Sequence, residues 1–306
     1  MPELVAITGA TGFIGSVLVK KLIQDNWAIR ALTRTARFSD SDAIEWIEGD
    51  LGNLNALRRL VDGSSYVIHC AATVKGNTFE EFAHTNIEGT KNILSAISAQ
   101  QSSSKFLLIS SLAARQPELS WYAQSKYLSE QQLITQSEKL DWTIFRPTAV
   151  YGPGDKELKP LFQAMHCGIL PIVGKITNRF GLIHVEDLVA AILAWLQSEN
   201  AVEGIFELDD GQAGGYSYQS LIALAQQVWS HPVRGIAIPD YLIRNIASAN
   251  LWLAKLLRYP AMLTPGKVNE LQHPDWVCDN TKLMVTLPAW RPRIRLQDAL
   301  PEIIKS

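Results

Sequence analysis

Tyr122-Ala-Gln-Ser-Lys126 sets a phenol and an ammonium four residues apart, and side chains at that spacing share one face of a helix. Tyrosine ionises with a reference pKa of about 10, and a lysine beside it favours the phenolate. The pair could therefore pass a proton to or from an oxygen in carbonyl or alcohol chemistry. Many surface helices carry the same spacing by chance. Ser111 adds weight, because it follows the apolar run Phe106–Ile109. In a parallel sheet the carboxyl ends of the strands face the ligand crevice, and a hydroxyl there can donate to a substrate carbonyl.

A second group of residues suits an anion. Gly9-Ala-Thr11-Gly12-Phe13-Ile14-Gly15 lies between the apolar run Val5–Thr8 and a helical stretch. Gly9 permits a tight turn, Gly12 a close approach of a pyrophosphate, and Gly15 tight packing of helix on strand. The freed amides and the helix dipole then face the anion. An NAD site usually carries an acid about 20 residues further on, for the ribose 2′-OH. Here the second strand ends Ala31-Leu32-Thr33-Arg34-Thr35-Ala36-Arg37, and the first acid is Asp40. A guanidinium suits a 2′-phosphate, so Arg34, and after it Arg37, point to NADP(H), with NAD the alternative. Both are otherwise solvated surface arginines. In Glu48-Gly-Asp50-Leu51, Asp50 either hydrogen-bonds the adenine amino group or caps the helix near Asn53.

Those residues need a scaffold. Val5–Thr8, Ala28–Leu32, Ile44–Glu48, Tyr66–His69, Phe106–Ile109 and Thr143–Phe145 read as strands. Gly12–Gln24, Leu54–Val61, Phe79–Ala99 and Tyr122–Ser137 read as helices between them. Nearly continuous apolar strands alternating with helices predict a parallel sheet covered on both faces, hence an α/β, doubly wound Rossmann domain. We expect it over residues 1–150. Past Arg146, with Pro147, Gly152, Pro153, Gly154 and Pro160, the alternation weakens. Residues 151–306 read as a smaller mixed substrate lobe, with 183–200, including a helix Glu186–Gln197, returning to the main sheet. Ser217–Trp229 and Tyr241–Leu257 read as further helices, and 211–215 as a loop.

The bulk composition narrows the classes. A net charge of −2 over 306 residues gives no reason to expect a nucleic-acid partner. Cys70, Cys167 and Cys278 are scattered, show no metal-ligand spacing, and fit buried thiols in a reducing compartment. No metal is expected. The first residues enter a strand at once, without a signal-peptide pattern, and no run of ~20 apolar residues occurs. The expected location is the cytoplasm, with no integral membrane segment.

In this order, several stretches together resemble the extended short-chain dehydrogenase/reductase superfamily over almost the whole length. They are Thr8-Gly-Ala-Thr-Gly-Phe-Ile-Gly15, Gly49-Asp50-Leu51, Val67-Ile-His-Cys-Ala-Ala72, Asn86-Ile-Glu-Gly-Thr90, Ile109-Ser-Ser-Leu112, Tyr122-x-x-x-Lys126, Arg146-Pro-Thr-Ala-Val-Tyr-Gly-Pro-Gly-Asp155 and His184-Val-Glu-Asp187. The resemblance implies that Tyr122 is the acid–base and that Lys126 binds the nicotinamide ribose and lowers the tyrosine pKa. It implies that Ser111, or in the other register Ser110, orients the substrate oxygen, and that Asn86 supports the lysine. Ala71, Ala72 and Thr73 would line the cofactor beside the fourth strand, and Pro147 would sit near the nicotinamide. His184 and Asp187 read as a structural helix entry. A homodimer through helices 79–99 and 122–137 is an expectation from relatives.

The superfamily spans epimerases, dehydratases and reductases. Leu112-Ala-Ala-Arg115 lacks the Asp-Glu pair that sugar dehydratases place after the catalytic hydroxyl. Four residues before His184, where epimerases often set a diphosphate-binding arginine, stands Phe180; Arg179 is one residue off and so points to the other face of a strand. Epimerases usually hold NAD tightly, which the missing acid disfavours. The apolar stripe Tyr241, Leu242, Ile243, Leu251, Trp252, Leu253, Leu256 and Leu257 suits reductases of the dihydroflavonol or 3β-hydroxysteroid type, or is ordinary core packing. Arg244, Lys255 and Arg258 on that helix also allow it to lie on a membrane surface. The expected function is an NADP(H)-dependent oxidoreductase acting on a hydrophobic small molecule. The alternatives are a nucleotide-sugar epimerase with bound NAD and a non-catalytic nucleotide-binding subunit of the complex I accessory type. The segment 263–276 matches none of these motifs.

Overall fold

The computed structural model describes residues 3–37, 41–100, 103–135 and 140–305. Asp40 and the end of the helix read as Tyr122–Ser137 lie outside them. Six strands, β1 (Leu4–Thr8), β2 (Ala28–Thr33), β3 (Ile44–Glu48), β4 (Tyr66–His69), β5 (Lys105–Ile109) and β6 (Trp142–Pro147), join Gly204–Leu208 in one sheet. Its order is Gly204–Leu208, β6, β5, β4, β1, β2, β3. The pairings from β3 through β6 are parallel. The order reverses between β1 and β4, which makes that boundary the switch point where such sheets bind ligands.

The strands are buried along most of their length because helices cover both faces. Helix α1 (Phe13–Gln24) buries Leu18, Val19 and Leu22. Helix α2 (Leu54–Val61) buries Leu57, Leu60 and Val61, and is capped by the Asn53 side chain, which accepts from Ala56 N at 3.1 Å. Asp50 is not that cap; its Oδ1 accepts from Gly52 N at 2.9 Å, closing a turn one step earlier.

The stretch expected as one helix over Phe79–Ala99 is three. Helix α3 (Phe79–Phe82) runs into a π-helical turn, Ala83–Glu88, then α4 (Gly89–Ser98). A π turn carries one extra residue and weak backbone geometry, so it persists where side chains compensate. Asn86, inside it, makes three hydrogen bonds. Helix α5 (Trp121–Ile134) follows.

Met1–Pro117, Trp121–Arg146 and Ile192–Phe206 form one compact unit. Its core includes Ala6, Leu57, Val67, Ile93, Phe106 and Ile144. The returning segment is later than 183–200 and brings a strand that the sequence reading lacks, Gly204–Leu208. Helix Val185–Leu196 leads into it, and the Trp195 Nε1 donates to Thr143 Oγ1 at 2.8 Å.

Glu118–Ser120, Pro147–Ala191 and Glu207–Ser306 form the second unit. It has its own core, around Tyr151, Phe162, Leu221 and Leu300. Its sheets are small: Ala149–Tyr151 beside Leu182–His184, Ile169–Val173 beside Arg234–Ile238, and Arg179–Phe180 between Tyr216–Ser217 and Asp275–Trp276. The unassigned segment 263–276 becomes a helix, Pro265–Gln272, and a strand, Asp275–Trp276. It holds the tripeptide before Trp121: Ser120 Oγ donates to Glu270, and Asn269 Nδ2 to Leu119 O at 3.1 Å. The cysteines form no disulfide, but Cys167 is exposed rather than buried. No helix among the described residues is long and apolar enough to cross a membrane.

Candidate active site

The glycine loop is built for close approach. Gly9 sits at φ +72°, a backbone region that side chains rarely adopt, and a Cβ there would lie 2.5 Å from Ala71 N. A Cβ on Gly15 would lie 2.1 Å from Gly9 O. The loop thus holds the start of α1 against the ends of β1 and β4. Gly12 differs: its added Cβ would meet only Gly9 O, at 3.3 Å. Gly12 is also the N-cap of α1, with no side-chain cap and no acid in the first turn. Space beside Gly12, an uncapped positive helix end and exposed Thr11 fit a dinucleotide pyrophosphate. Phe13 and Ile14 are half-buried in the same turn.

The other candidate cofactor residues end or follow strands of the sheet. Arg34 is exposed directly beyond β2, and Arg37 stacks over the Trp46 ring at 5.3 Å. Asp50 is exposed, and Leu51 O accepts from Asn92 Nδ2 at 2.9 Å. Ala71, half-buried, and Ala72, exposed, follow β4. Thr73 is clamped by Asn86, which accepts from its N at 2.8 Å and donates to its O at 3.0 Å. Pro147 ends β6 and belongs to the second unit.

Helix α5 carries the candidate catalytic side chains Tyr122 and Lys126. Tyr122 is half-buried, with its ring 6.4 Å from that of Phe82. Lys126, one turn on, is buried and donates to Ile109 O, the last residue of β5, at 2.9 Å. Burial pulls its pKa down to about 8, against the opposing pull of Glu130 and then Cys70. Asn86 does not bond Lys126. Its Nδ2 donates to Ser125 Oγ at 2.8 Å, and that hydroxyl donates to Tyr122 O at 2.8 Å, so the asparagine ties the Tyr122 turn to the Thr73 loop beyond β4.

The two serines after β5 divide in role. Ser110 is buried, and its hydroxyl donates to Glu130 Oε1 at 2.5 Å. Ser111 caps the short turn Leu112–Arg115, its Oγ accepting from Ala113 N at 3.2 Å. Accepting leaves the Ser111 proton to donate. Of the two, Ser111 has the hydroxyl available to a substrate oxygen.

Two buried networks escaped the sequence reading. Glu130, wholly buried, takes a two-pronged ion pair from Arg146, Nε at 2.9 Å and NH2 at 2.5 Å. The signal was present: Glu130 is four residues from Lys126, hence on its face of α5. His69 bridges Thr8 Oγ1 at 2.6 Å and Thr90 Oγ1 at 3.1 Å, and Thr90 meets Ser129 Oγ at 2.7 Å. Burial and then the Lys126 charge push the His69 pKa down to about 3, so the ring is neutral at physiological pH. Burial raises the Cys70 thiol to about 12, partly offset by Lys126. These chains lock β1, β4, α4 and α5 together beneath the site. His184 and Asp187 belong to the second unit; Asp187 Oδ2 accepts from the Arg293 and Ile294 amides at 3.0 and 2.8 Å, a structural duty.

The chain is similar to known proteins. Residues 5–208 match the NAD dependent epimerase/dehydratase family. The chain is 37% identical to ceramide reductase of Caulobacter vibrioides over 291 residues, 94% of this chain and 89% of that protein. It is 27% identical to UDP-glucose 4-epimerase of Vibrio cholerae over 263 residues, 76% of this chain and 79% of that one. The solved UDP-glucuronic acid 4-epimerase from Bacillus cereus, in complex with UDP-glucuronic acid and NAD, superposes with a TM-score of 0.76 at 18% identity, covering 99% of each chain. That structural likeness speaks to the fold. The matched span runs from the glycine loop through Lys126 to the last strand of the sheet, and the chain belongs to the NAD dependent epimerase/dehydratase family.

Proposed function

We propose that the chain is a nicotinamide-dependent reductase, or in reverse a dehydrogenase, of a carbonyl on a hydrophobic molecule, with NADP(H) preferred and a ceramide-type amphiphile as the first substrate to try. The observation that carries it is the set at the end of β5: Ser111 with a proton to donate, and Lys126 buried and anchored on Ile109 one helical turn from Tyr122. The substrate class rests on the 37% identity to ceramide reductase over nearly the whole chain.

Ser111 orients the carbonyl oxygen by donating to it. Tyr122 gives that oxygen its phenolic proton as the carbonyl carbon is reduced, and the alcohol leaves. Lys126 stabilises the resulting phenolate by its charge and holds a ribose hydroxyl. The glycine loop would hold the dinucleotide by its pyrophosphate and Arg34 would hold a 2′-phosphate, and the bound cofactor would supply the hydride. Asn86 and Ser125 keep the Tyr122 turn in place.

Two observations disfavour other reactions of the family. No acid pair follows Ser111, so elimination lacks its acid and base. Arg179, near the diphosphate-binding position of epimerases, is engaged in an ion pair with Asp275, while Phe180 packs against the second unit's core.

The test is purified protein with NADPH or NADH and two substrate panels, long-chain ketones and nucleotide sugars. We expect loss of reduced-nicotinamide absorbance in step with alcohol formed from a ketone. Cofactor-neutral conversion of a nucleotide sugar would replace this reading with epimerisation. Arg34→Ala should weaken NADPH binding by about 1.5–3 kcal/mol and leave NADH unchanged. Native affinity for NADH equal to that for NADPH would remove the cofactor preference.

A further inference from the structure

The helix Asp240–Leu257 in the second unit carries its bulk on the side away from the core. Its buried residues are Ile243, Ala247 and Ala254, and the first two pack with Val173 and Val268. Its large apolar residues face solvent: Tyr241 is 70% exposed, Trp252 67%, and Leu256 and Leu257 62% each. An amphipathic helix of a globular protein normally turns its large apolar stripe inward. At 3.6 residues per turn the outward apolar residues from Tyr241 to Leu257 fill an arc of about 160°, in which Asn245 is the one polar side chain.

Charge narrows what covers this face. From Tyr241 to Asn269 the chain has no aspartate or glutamate, and it carries Arg244, Lys255, Arg258 and Lys267. Arg244 is paired with Asp240 at 2.8 Å and Lys267 with Glu270 at 2.7 Å. Lys255 and Arg258 are exposed, and no ion pair engages them among the described residues. Lys255 flanks the apolar arc, and Arg258 caps the helix end at φ +59°.

We propose that this helix docks the protein on an anionic lipid bilayer, lying in the interfacial layer with Tyr241, Trp252, Leu256 and Leu257 inserted. A wide apolar face, rings that are apolar with a polar handle, and cations at the margin form the chemistry of interfacial helices. A second copy fits less well, because an isologous contact would set a face whose unpaired charges are all positive against itself. The helix does not span, since none among the described residues is long and apolar enough to do so. The proposal concerns a surface of the second unit and stands apart from the reaction proposed above.

The experiment is flotation of the full chain with vesicles of phosphatidylcholine and phosphatidylglycerol, and with phosphatidylcholine alone. The native chain should float with the mixed vesicles, and about tenfold less with neutral ones or at high salt. Trp252→Ser with Leu256→Ser and Leu257→Ser should cut binding by about tenfold or more, while NADPH affinity and melting temperature in solution hold. Lys255→Glu with Arg258→Glu should remove the preference for anionic lipid. A native chain that stays unbound at all lipid concentrations would overturn the proposal. So would a triple variant that floats like the native chain, or a dimer that the triple variant dissociates in the absence of vesicle binding.

Discussion

In the proposed reaction Tyr122 and Ser111 divide the work at the reacting oxygen, and single changes should separate their roles from cofactor binding. Tyr122→Phe keeps the ring that packs near Phe82 and removes the proton. The chemical step should fall by about 10²–10⁴, with NADPH affinity by fluorescence titration nearly unchanged. Ser111→Ala should slow turnover in the same assay and leave affinity alone. If neither change alters turnover, the reaction does not run through these two hydroxyls. Lys126 brings a pH dependence. Burial holds its pKa at about 8, below the ordinary 10.5, so the ammonium is intact below that value and is lost as pH rises through it. A neutral amine holds a ribose hydroxyl less well. NADPH affinity should therefore be level near pH 7 and decline through about pH 8. Lys126→Met should bind weakly at every pH and lack that inflection; the same inflection in the variant would assign it to another group.

At the scale of the element, the glycine loop makes two glycines of one motif behave differently. A Cβ on Gly15 would collide with Gly9 O at 2.1 Å and Ala10 Cα at 2.8 Å. Those are backbone atoms, so α1 must shift. Gly15→Ala should cost about 1–3 kcal/mol of stability, as overpacking does, read by urea denaturation. A Cβ on Gly12 would meet only Gly9 O, at 3.3 Å. Gly12→Val should melt closer to the native temperature than a Gly15 variant and lose cofactor affinity, because its side chain would occupy the proposed pyrophosphate position. Native affinity in that variant would place the phosphates elsewhere. The π turn at Ala83–Glu88 is another element-level device. Apolar periodicity over Phe79–Ala99 predicts a helix but does not register one inserted residue, because the burial pattern resumes in α4. What holds the turn is the Asn86 side chain on Thr73 and Ser125.

At the scale of the molecule, each unit closes around its own core, and the second depends on the chain's last third. Trp290 is almost wholly buried, and its Nε1 donates to Asp187 O at 3.0 Å. With the Asp187 carboxylate on the Arg293 and Ile294 amides, it binds this late segment to the start of helix Val185–Leu196. Trp290→Ala should cost about 3–5 kcal/mol, measured by denaturant unfolding, and a near-native midpoint would show that the segment is not needed. The amino-acid sequence by itself determined the first six strands of the main sheet, the glycine loop and the Tyr122–Lys126 spacing. Each is local: apolar period, glycine spacing and a four-residue helical step are written in neighbouring residues. The sequence already favoured Ser111 over Ser110; what it did not carry is that Glu130 engages Ser110, because that contact forms only once α5 is packed on the sheet. The small strands of the second unit, some only two residues long, are too short to show a period. The helix Asp240–Leu257 makes the limit plain. Its sequence specifies an apolar face, but hydropathy does not say which side meets the protein. Tertiary packing turned Ile243, Ala247 and Ala254 inward and left Trp252, Leu256 and Leu257 in solvent, because that is set by the surface the helix lies on, not by the helix.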